Sequence, residues 1–267
     1  MKKFFIKLIR KIGLIKFVDK IRFYFYLVKT YKSRQEFKKN HPNAILPPSY
    51  FLYETFNLNY SSYHNSKKNA IQLIEVLKRF KEFKNIKILD WGCGPGRYIS
   101  HLPRLIDDSC ECYGTDYNKK YIKWCKNNIQ NVTFTVNRLH PPMEYQSNFF
   151  DIVYCNSIFT HLSEEMHFAW FNELIRILKP QGILYITLQG SSFIKKLSNI
   201  EEKQFAEGKL VIRGNTKEGH RTYAAFHPES FVRKLIGNNN VLAHIPGEVN
   251  ENKPQQDIWI IEKNRLN

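Results

Sequence analysis

The glycine-rich segment between residues 86 and 97 has the composition of a ligand-binding turn. Its apolar start ends in an acid, and glycine then stands at every second position: Asp90, Gly92, Gly94 and Gly96. Glycine adopts left-handed backbone conformations and lets a ligand approach the main chain closely. A pyrophosphate-binding turn has the spacing G-x-G-x-x-G, but here Arg97 occupies the place of the third glycine. A carboxylate at the tip of a strand repels a pyrophosphate and attracts a cationic amine.

A second acid, Asp116, closes a predicted strand over residues 112–116, 26 positions after Asp90. At such a tip a carboxylate can accept hydrogen bonds from both hydroxyl groups of a ribose. The next residue, Tyr117, is placed to lie against an adenine. The alternative is an ordinary acid at a strand end. The residues thus predict one acid suited to a cationic amine, Asp90, and one suited to a ribose, Asp116.

Histidine is the side chain best suited to remove a proton near neutral pH, and the chain has nine. Three are candidates for a general base. His161 follows the fourth predicted strand, His227 precedes a predicted helix, and His64 lies in the N-terminal part of the chain. His220 lies beside Arg221 on a predicted loop. For each histidine the alternative is a structural role.

Strands and helices alternate along the chain, which predicts a parallel sheet. The predicted strands are 86–90, 112–116, 132–136, 150–156 and 183–188, then the short strands 210–213 and 222–226, and last 241–245 and 257–262. The predicted helices are 66–82 (with Ser66 as its N-cap), 97–106, 118–128, 164–178 and 228–236, with a helix and loop over 191–208. Ligands of open α/β sheets bind at the carboxyl ends of the strands, where the candidate residues fall.

The N-terminal 40 residues are strongly basic, with 13 lysines and arginines against two acids, in a chain of net charge +17. Residues 1–39 are predicted to form a basic amphipathic helical arm. Its two apolar stripes are Phe5, Leu8, Ile9, Ile12 and Ile15, then Leu14, Phe17, Val18, Ile21, Phe25 and Val28. Three partners fit such an arm: an anionic membrane surface through residues 1–30, the protein's own domain, and nucleic acid. Nucleic acid is the weakest reading because no binding module is recognisable.

The remaining chain divides into a linker or lid segment, 40–65, which has three prolines in its first ten residues, and a domain over 66–263. No apolar run approaches the roughly 18 to 20 residues that span a bilayer, and Lys7, Arg10 and Lys11 interrupt the apolar start that a cleaved signal would need. We therefore expect a cytoplasmic protein, peripheral at the inner membrane face if the arm binds lipid. Five cysteines without a C-x-x-C pair predict reduced thiols. Strand four ends at Tyr154–Ser157 without a carboxylate pair, so we predict no metal.

Over residues 86–190 the order of these motifs resembles class I S-adenosylmethionine (SAM) methyltransferases. The resemblance implies a Rossmann-like α/β fold, with a seven-stranded, mostly parallel sheet, helices on both faces, and SAM as cofactor. It implies a cofactor site formed by Asp90, Gly92, Gly94, Gly96, Asp116, Tyr117, Asn137, Leu139 and Asn156. It gives Asp151 a structural role. Gln181 departs from the pattern, since the family often has glycine there.

A finer resemblance is to methyltransferases of bacterial surface-polysaccharide (O-antigen and capsule) biosynthesis. It rests on Pro141–Pro142, Phe159–Leu162, Trp170 and Gln256–Asp257. It implies methyl transfer to a sugar hydroxyl of a small-molecule or lipid-linked glycan, by in-line displacement with a histidine base. Two alternatives stay open: methylation of another small or lipid acceptor, and a non-catalytic SAM-binding scaffold at the membrane. Methylation of a nucleobase is weaker, because Pro141–Pro142 precedes strand four.

Overall fold

The structure is a computed structural model that describes residue 9 and residues 12–251 and 253–265. Two residues of the first predicted apolar stripe of the arm, Phe5 and Leu8, lie outside the described residues. The described chain forms two compact units. The first unit lies within residues 1–85 and 93–136, and the second unit within residues 86–92 and 137–267. This division passes through the predicted domain of 66–263 and groups its first part with the arm and the linker.

The described helices have the following bounds: α1 Ile15–Lys29, α2 Tyr31–Asn40, α3 Ser49–Phe56, α4 Tyr60–His64, α5 Lys67–Leu77, α6 Lys119–Asn128, α7 Glu164–Ile177, α8 Asn199–Ala206 and α9 Glu229–Ile236. Short 3-10 turns lie at Leu102–Arg104, Phe159–His161 and Ser191–Lys196. The predicted linker therefore contains two helices, α3 and α4. Among the described helices, none has the length and apolar character needed to cross a bilayer.

The described strands are β1 Lys87–Trp91, β2 Glu111–Asp116, β3 Thr133–Val136, β4 Phe150–Cys155, β5 Leu178–Leu188, β6 Val211–Arg213, β7 Ala224–Phe226, β8 Asn240–Ile245, β9 Val249–Asn250, β10 Lys253–Pro254 and β11 Asp257–Glu262. Seven of them form one sheet in the order β3-β2-β1-β4-β5-β11-β8. The β2–β3, β1–β4 and β4–β5 pairs are parallel, whereas β11 is antiparallel to both of its neighbours. The predicted fold class, with its mostly parallel seven-stranded sheet, is confirmed.

Strand β4 lies in the core of the second unit and is buried along its whole length. Ile152 pairs with Ile88 on one side and with Ile183 on the other. A strand covered on both faces needs a continuous apolar sequence, which 150–155 provides except at Asp151. The carboxylate of Asp151 accepts hydrogen bonds from the amide of Lys87 (2.9 Å) and from Nζ of Lys179 (2.7 Å). Its predicted structural role is confirmed.

The helix predicted over 97–106 is wrong. The segment forms a series of turns. Ser100 N donates to Gly96 O, four residues back, whereas His101 N donates to Tyr98 O, three residues back, so the regular hydrogen-bond pattern of an α-helix is absent there. Pro103 lacks the amide that a regular helix needs. Ser66 holds the predicted N-cap position of α5, but its side chain makes no capping hydrogen bond, and its Oγ lies 3.0 Å from Nε2 of His101.

Gln181 has a backbone φ of +61°, a left-handed conformation that favours glycine. This explains why the family often has glycine at this corner before the buried part of β5. The predicted short strands 210–213 and 222–226 form β6 and β7, which pair antiparallel in a separate two-stranded sheet. The conformation of Gln181 is held by a hydrogen bond from its amide to the carbonyl of Lys263, at 3.1 Å.

Helix α1 of the arm packs within the first unit through the face opposite to the predicted second stripe. The hydroxyl of Tyr53 donates to the carbonyl oxygen and to Oδ1 of Asp19, at 3.0 and 2.8 Å. Phe23 and Tyr26 pack against the same buried cluster. All six residues of the predicted second stripe, from Leu14 to Val28, are exposed. The helix therefore docks on its own unit with one face and leaves its apolar stripe uncovered.

Candidate functional site

The glycine loop of the first unit is fastened to the end of β2. The amide of Cys93 donates to the carbonyl of Thr115, and the amide of Gly94 donates to Oδ2 of Asp116, both at 3.0 Å. Gly94 and Gly96 have left-handed φ values of +53° and +81°. The nearest heavy atom to a Cβ built on Gly94 is 4.0 Å away, so the main chain there is open to a ligand.

Asp116 is 6% exposed and both of its oxygens bind backbone amides. Oδ1 accepts from Asn118 N at 2.7 Å, beside the Gly94 bond to Oδ2. Burial raises the pKa of Asp116 to about 6, and the charge of Glu54 adds to this, while the two amides act in the opposite direction. Each carboxylate oxygen has a second lone pair. Asp116 therefore retains the capacity to accept ribose hydroxyls, and that role stays a prediction.

Glu54, on α3, is a neighbour of this site that the sequence analysis missed. Its carboxylate accepts a hydrogen bond from the hydroxyl of Tyr121. Burial, followed by the charge of Asp116, raises the pKa of Tyr117 to about 12, so this half-buried phenol is neutral. The hydroxyl of Tyr63 donates to the carbonyl of Pro95 in the glycine loop, at 3.0 Å. The sequence signal that could have located Glu54 is its position as the acid of α3, a helix in which four of eight residues are aromatic.

In the second unit, Asp90 lies inside β1 and not at an open strand tip, as the sequence had suggested. It is 3% exposed and accepts a hydrogen bond from the hydroxyl of Tyr154, at 3.0 Å. Gly92 follows with φ of +76°, and a side chain there would overlap Ile158. The burial of Asp90 argues against direct attraction of a solvated amine and favours a role in holding β1 to β4.

A polar network joins the ends of β4 and β5 in the second unit. The amide of Ser157 donates to Oγ1 of Thr187 at 2.8 Å, and that hydroxyl donates to Oε1 of Gln256 at 2.6 Å. Nε2 of Gln256 donates back to Oγ of Ser157 at 2.5 Å. Thr187 also lies 3.4 Å from Oδ1 of Asn156, a predicted cofactor residue. Thr187 was missed because a threonine in a buried strand carries no sequence signal of its own.

His161 is held in one tautomer by the second unit. Its Nδ1 lies 2.7 Å from the carbonyl oxygen of Tyr223. A carbonyl only accepts hydrogen bonds, so we assign the proton to Nδ1 and the lone pair to Nε2. Burial lowers the pKa of His161, and the charges of His220 and Arg221 lower it further, against the effect of the Tyr223 bond. The ring is therefore neutral at pH 7 and its Nε2 carries a lone pair, as a general base requires.

His227 is 2% exposed and pairs with a second buried histidine, His167. Nδ1 of His167 donates to Ser163 O at 2.7 Å, so its Nε2 accepts from Nε2 of His227, at 2.9 Å. Nδ1 of His227 then carries a lone pair that has no partner among the described residues. Burial lowers the pKa of His167 to about 4 and that of His227 well below its ordinary value. This burial argues against the predicted role of His227 as a base.

His64, the third candidate base, is exposed at the end of α4 in the first unit. Its ring lies 5.4 Å from that of Phe37 and 4.8 Å from that of His41, both on or next to α2. The structure thus places it with the aromatic residues of the arm.

Two predicted cofactor residues, Asn137 and Leu139, lie in the second unit. Asn137 Nδ2 donates to Arg138 O at 2.6 Å, and Leu139 O accepts from Nε1 of Trp170 at 3.0 Å. Within the described ranges no group of three His, Cys, Asp or Glu is arranged to hold a metal.

Comparisons with known proteins agree with this geometry. A family profile described as a methyltransferase domain matches residues 88–182. Malonyl-[acyl-carrier protein] O-methyltransferase of Bacillus cereus is 28% identical over 65% of this chain and 64% of its own length. Ubiquinone biosynthesis O-methyltransferase of Pelagibacter ubique is 30% identical over 45% of this chain and 49% of its own. The chain spans less than two thirds of the length of both relatives.

Among solved structures, magnesium protoporphyrin IX methyltransferase from Synechocystis PCC 6803 with bound SAH is similar with a TM-score of 0.55. The match is 14% identical and covers 87% of this chain and 95% of that one. The likeness shows a shared fold. With the family match, it confirms the predicted class I SAM-dependent methyltransferase fold and SAM as the cofactor of that fold.

Proposed function

We propose that this chain, which carries a methyltransferase domain at residues 88–182 on a class I SAM-dependent methyltransferase fold, methylates a sugar hydroxyl in surface-glycan biosynthesis. The observation that carries the proposal is the neutral His161, whose Nδ1–H is donated to Tyr223 O at 2.7 Å. Its Nε2 is thereby ready to accept a proton. The glycan acceptor rests on the finer sequence resemblance around Phe159–Leu162 and Gln256–Asp257, and the relatives' names refer to other substrates.

The residues of the first unit fit the nucleoside part of SAM. Asp116 retains lone pairs for the ribose hydroxyls, and the main chain at Gly94 is open. Tyr117 stays neutral and offers a ring for the adenine. When bound, SAM supplies a methyl group on a positively charged sulfur, which makes the methyl electrophilic. The protein's own task is to hold the acceptor in line and to take its proton.

His161 distinguishes between classes of acceptor. A hydroxyl group must lose a proton as its oxygen is methylated, and Nε2 of His161 accepts it. The resulting imidazolium is stabilised by Tyr223 O, which stays bonded to Nδ1. A carboxylate acceptor has no proton to lose at neutral pH and needs no base. The tautomer of His161 therefore favours a hydroxyl acceptor.

The test is methyl transfer from labelled SAM to nucleotide-linked and lipid-linked sugars, comparing His161→Gln with His140→Gln. His140 is exposed and lies in the same unit, so it controls for loss of a histidine. We expect His161→Gln to lower kcat by about 10²-fold or more while SAM affinity stays unchanged. Full activity in His161→Gln with a hydroxyl acceptor contradicts the assigned base. Turnover of lipid phenols but no sugar supports the alternative lipid acceptor.

We further propose that α1 holds the protein at an anionic membrane surface. Phe17, Ile21 and Phe25 are 62%, 54% and 60% exposed, and Lys16 and Lys20 flank them. An amphipathic helix with this composition binds at the lipid headgroup level, and each lysine near the surface contributes about 1 kcal/mol. Docking on the protein itself uses the opposite face, through Asp19 and its neighbours, so the stripe is free for lipid.

Sedimentation with vesicles tests this location. We expect the unaltered chain to bind vesicles of phosphatidylglycerol and to leave neutral phosphatidylcholine vesicles in solution. Phe17→Ser with Ile21→Ser and Phe25→Ser should abolish binding. Ile200→Ser removes one equally exposed apolar side chain on α8 and should change nothing. Equal vesicle binding by the triple variant contradicts the proposal, as does binding that an oligonucleotide displaces completely.

A further inference from the structure

The first unit contains a cavity of about 450 Å³ whose chemistry the methyl-transfer proposal does not use. Its wall includes His64, His101, Arg104, Trp124, Asn128 and Asn131. A volume of this size suits a small ligand of a few rings. Most of the named side chains are polar, which favours a hydrophilic ligand.

The charge of the cavity favours an anion. Arg104 lines it, and among the described residues that form its wall there is no Asp or Glu. Burial lowers the pKa of His101, and the charges of Lys67, Arg104 and His64 lower it further. These groups therefore create a positive potential around His101. The fork of an arginine is well matched to phosphate oxygens.

The aromatic and amide side chains of the wall favour a sugar ring. Trp124 is half-buried, and its ring lies 6.3 Å from that of Tyr63 in an edge-on contact. An indole face packs well on the apolar face of a ring while leaving hydroxyls free for polar partners. The amides of Asn128 and Asn131 supply donors and acceptors for hydroxyl groups.

Two hydrogen bonds hold the wall in place. Oγ of Ser66 lies 3.0 Å from Nε2 of His101, which fixes the orientation of that ring. The hydroxyl of Tyr63 donates to Pro95 O in the glycine loop, at 3.0 Å. Tyr63 lines the cavity and bonds to the loop, so a ligand in the cavity would contact a side chain that supports the loop.

We propose that this cavity binds a phosphorylated sugar, with the phosphate at Arg104 and His101 and the sugar ring at Trp124. The proposal does not depend on methyl transfer or on its acceptor. A sugar 1-phosphate and the diphosphate of a nucleotide sugar share this chemistry, and the two sources are distinguished by the probes below.

Trp124 provides a direct signal. The other three tryptophans, Trp91, Trp170 and Trp259, are at most 3% exposed, so a ligand that changes the fluorescence acts on Trp124. We expect glucose 1-phosphate or uridine diphosphate glucose to change the emission of the full chain saturably, and glucose to have no effect. The tighter of the two probes identifies the source. Trp124→Phe should remove the signal.

Arg104→Gln should weaken binding about tenfold or more, whereas Arg79→Gln, an exposed arginine outside the cavity wall, should leave it unchanged. Arg104 is itself exposed, and matching thermal unfolding of both variants verifies that the fold is retained. Absence of saturable binding overturns the proposal. Equal affinity in the two arginine variants, equal binding of glucose, or tighter binding of a single-stranded oligonucleotide overturns it as well.

Discussion

Oδ2 of Asp116 accepts a hydrogen bond from the amide of Gly94, at 3.0 Å. The acid at the end of β2 therefore holds the glycine loop in place, in addition to any bond that it makes to a ribose. Its other oxygen binds the amide of Asn118 at 2.7 Å, at the start of α6. Loss of this carboxylate leaves the amides of Gly94 and Asn118 without their acceptor and also removes the predicted acceptor for a ribose. The choice of the substituting residue therefore determines whether a measurement reports the loop, the ligand or both.

We predict that Asp116→Ala weakens SAM binding by more than about tenfold, because ligand bonds and the fastening of the loop are lost together. Asp116→Asn keeps one carbonyl acceptor, and we expect an intermediate loss. Isothermal titration calorimetry measures both, and hydrogen exchange at Gly94 reports the loop alone. Unchanged affinity in Asp116→Ala would show that SAM does not use this carboxylate.

We predict that SAM affinity falls as the pH drops below about 6, because the buried carboxyl of Asp116 has its pKa raised to about 6 from 3.8. Protonation removes an acceptor for ribose hydroxyls, and the raised pKa places this loss at pH 6 and not at pH 4. The same shift means that the folded chain binds this proton more tightly than the unfolded chain, so Asp116 costs stability as the pH rises from 3.8 through 6. Calorimetry between pH 5 and 8 is the measurement, and Asp116→Asn should give a flatter profile.

We predict that the buried pair His167–His227 makes the protein sensitive to mild acid. The pKa of His167 is lowered to about 4 from 6.5, so the unfolded chain takes up this proton first. Its contribution to stability is present above pH 6.5 and is lost as the pH falls towards 4, by up to about 1.4 kcal/mol per pH unit and per histidine. Urea unfolding at pH 7.5 and 5 measures the loss.

His227→Phe is the control for this pair, since it removes one titrating ring at similar volume. It should reduce the difference in unfolding free energy between pH 7.5 and 5. It removes the nitrogen of His227 that has no partner, but it also removes the N–H that Nε2 of His167 accepts, so we expect the free energy of unfolding at pH 7.5 to fall by about 1–3 kcal/mol. The test is therefore the difference between the two pH values and not either value alone. An identical acid sensitivity in His227→Phe would assign the effect to other groups.

We predict that Gly92→Ala is more harmful than Gly94→Ala. Both glycines have left-handed backbones, so each substitution costs about 1 kcal/mol in strain. A Cβ on Gly92 would also overlap the side chain of Ile158, whereas on Gly94 the nearest atom, Cγ2 of Thr55, is 4.0 Å away. Thermal unfolding measures the difference, and Ile158→Ala should partly rescue Gly92→Ala. Equal unfolding temperatures for the two single variants would contradict the packing argument.

We predict that activity with a hydroxyl acceptor persists below pH 6.5. The pKa of His161 is lowered by burial, and the charges of His220 and Arg221 add to this. A base with a lowered pKa stays unprotonated to more acidic pH, so the acid limb of kcat lies below 6.5. Arg221→Gln removes one positive charge and should move that limb towards higher pH, which a pH profile of kcat measures. A limb that does not move in Arg221→Gln contradicts this electrostatic coupling.

The sequence by itself determined the fold class and the order of the strands along the chain, because alternating apolar stretches and glycine turns are local patterns. It also located the loop at Gly92–Gly96 and the acid at Asp116, since glycines and an acid after a strand follow from spacing alone. It did not show that the side chain of Ser66 makes no capping bond, because the partner of Ser66 is His101, 35 residues away.

Only the tertiary structure decided how the surroundings of the candidate histidines differ. His161 and His227 look alike in sequence, yet one donates Nδ1–H to a carbonyl and keeps a free nitrogen, while the other is enclosed with His167. The same holds for Asp90, which lies buried beside Tyr154, and for the exposed stripe of α1. Burial and tautomer depend on groups distant along the chain, so their physical effects arise only when the chain has folded.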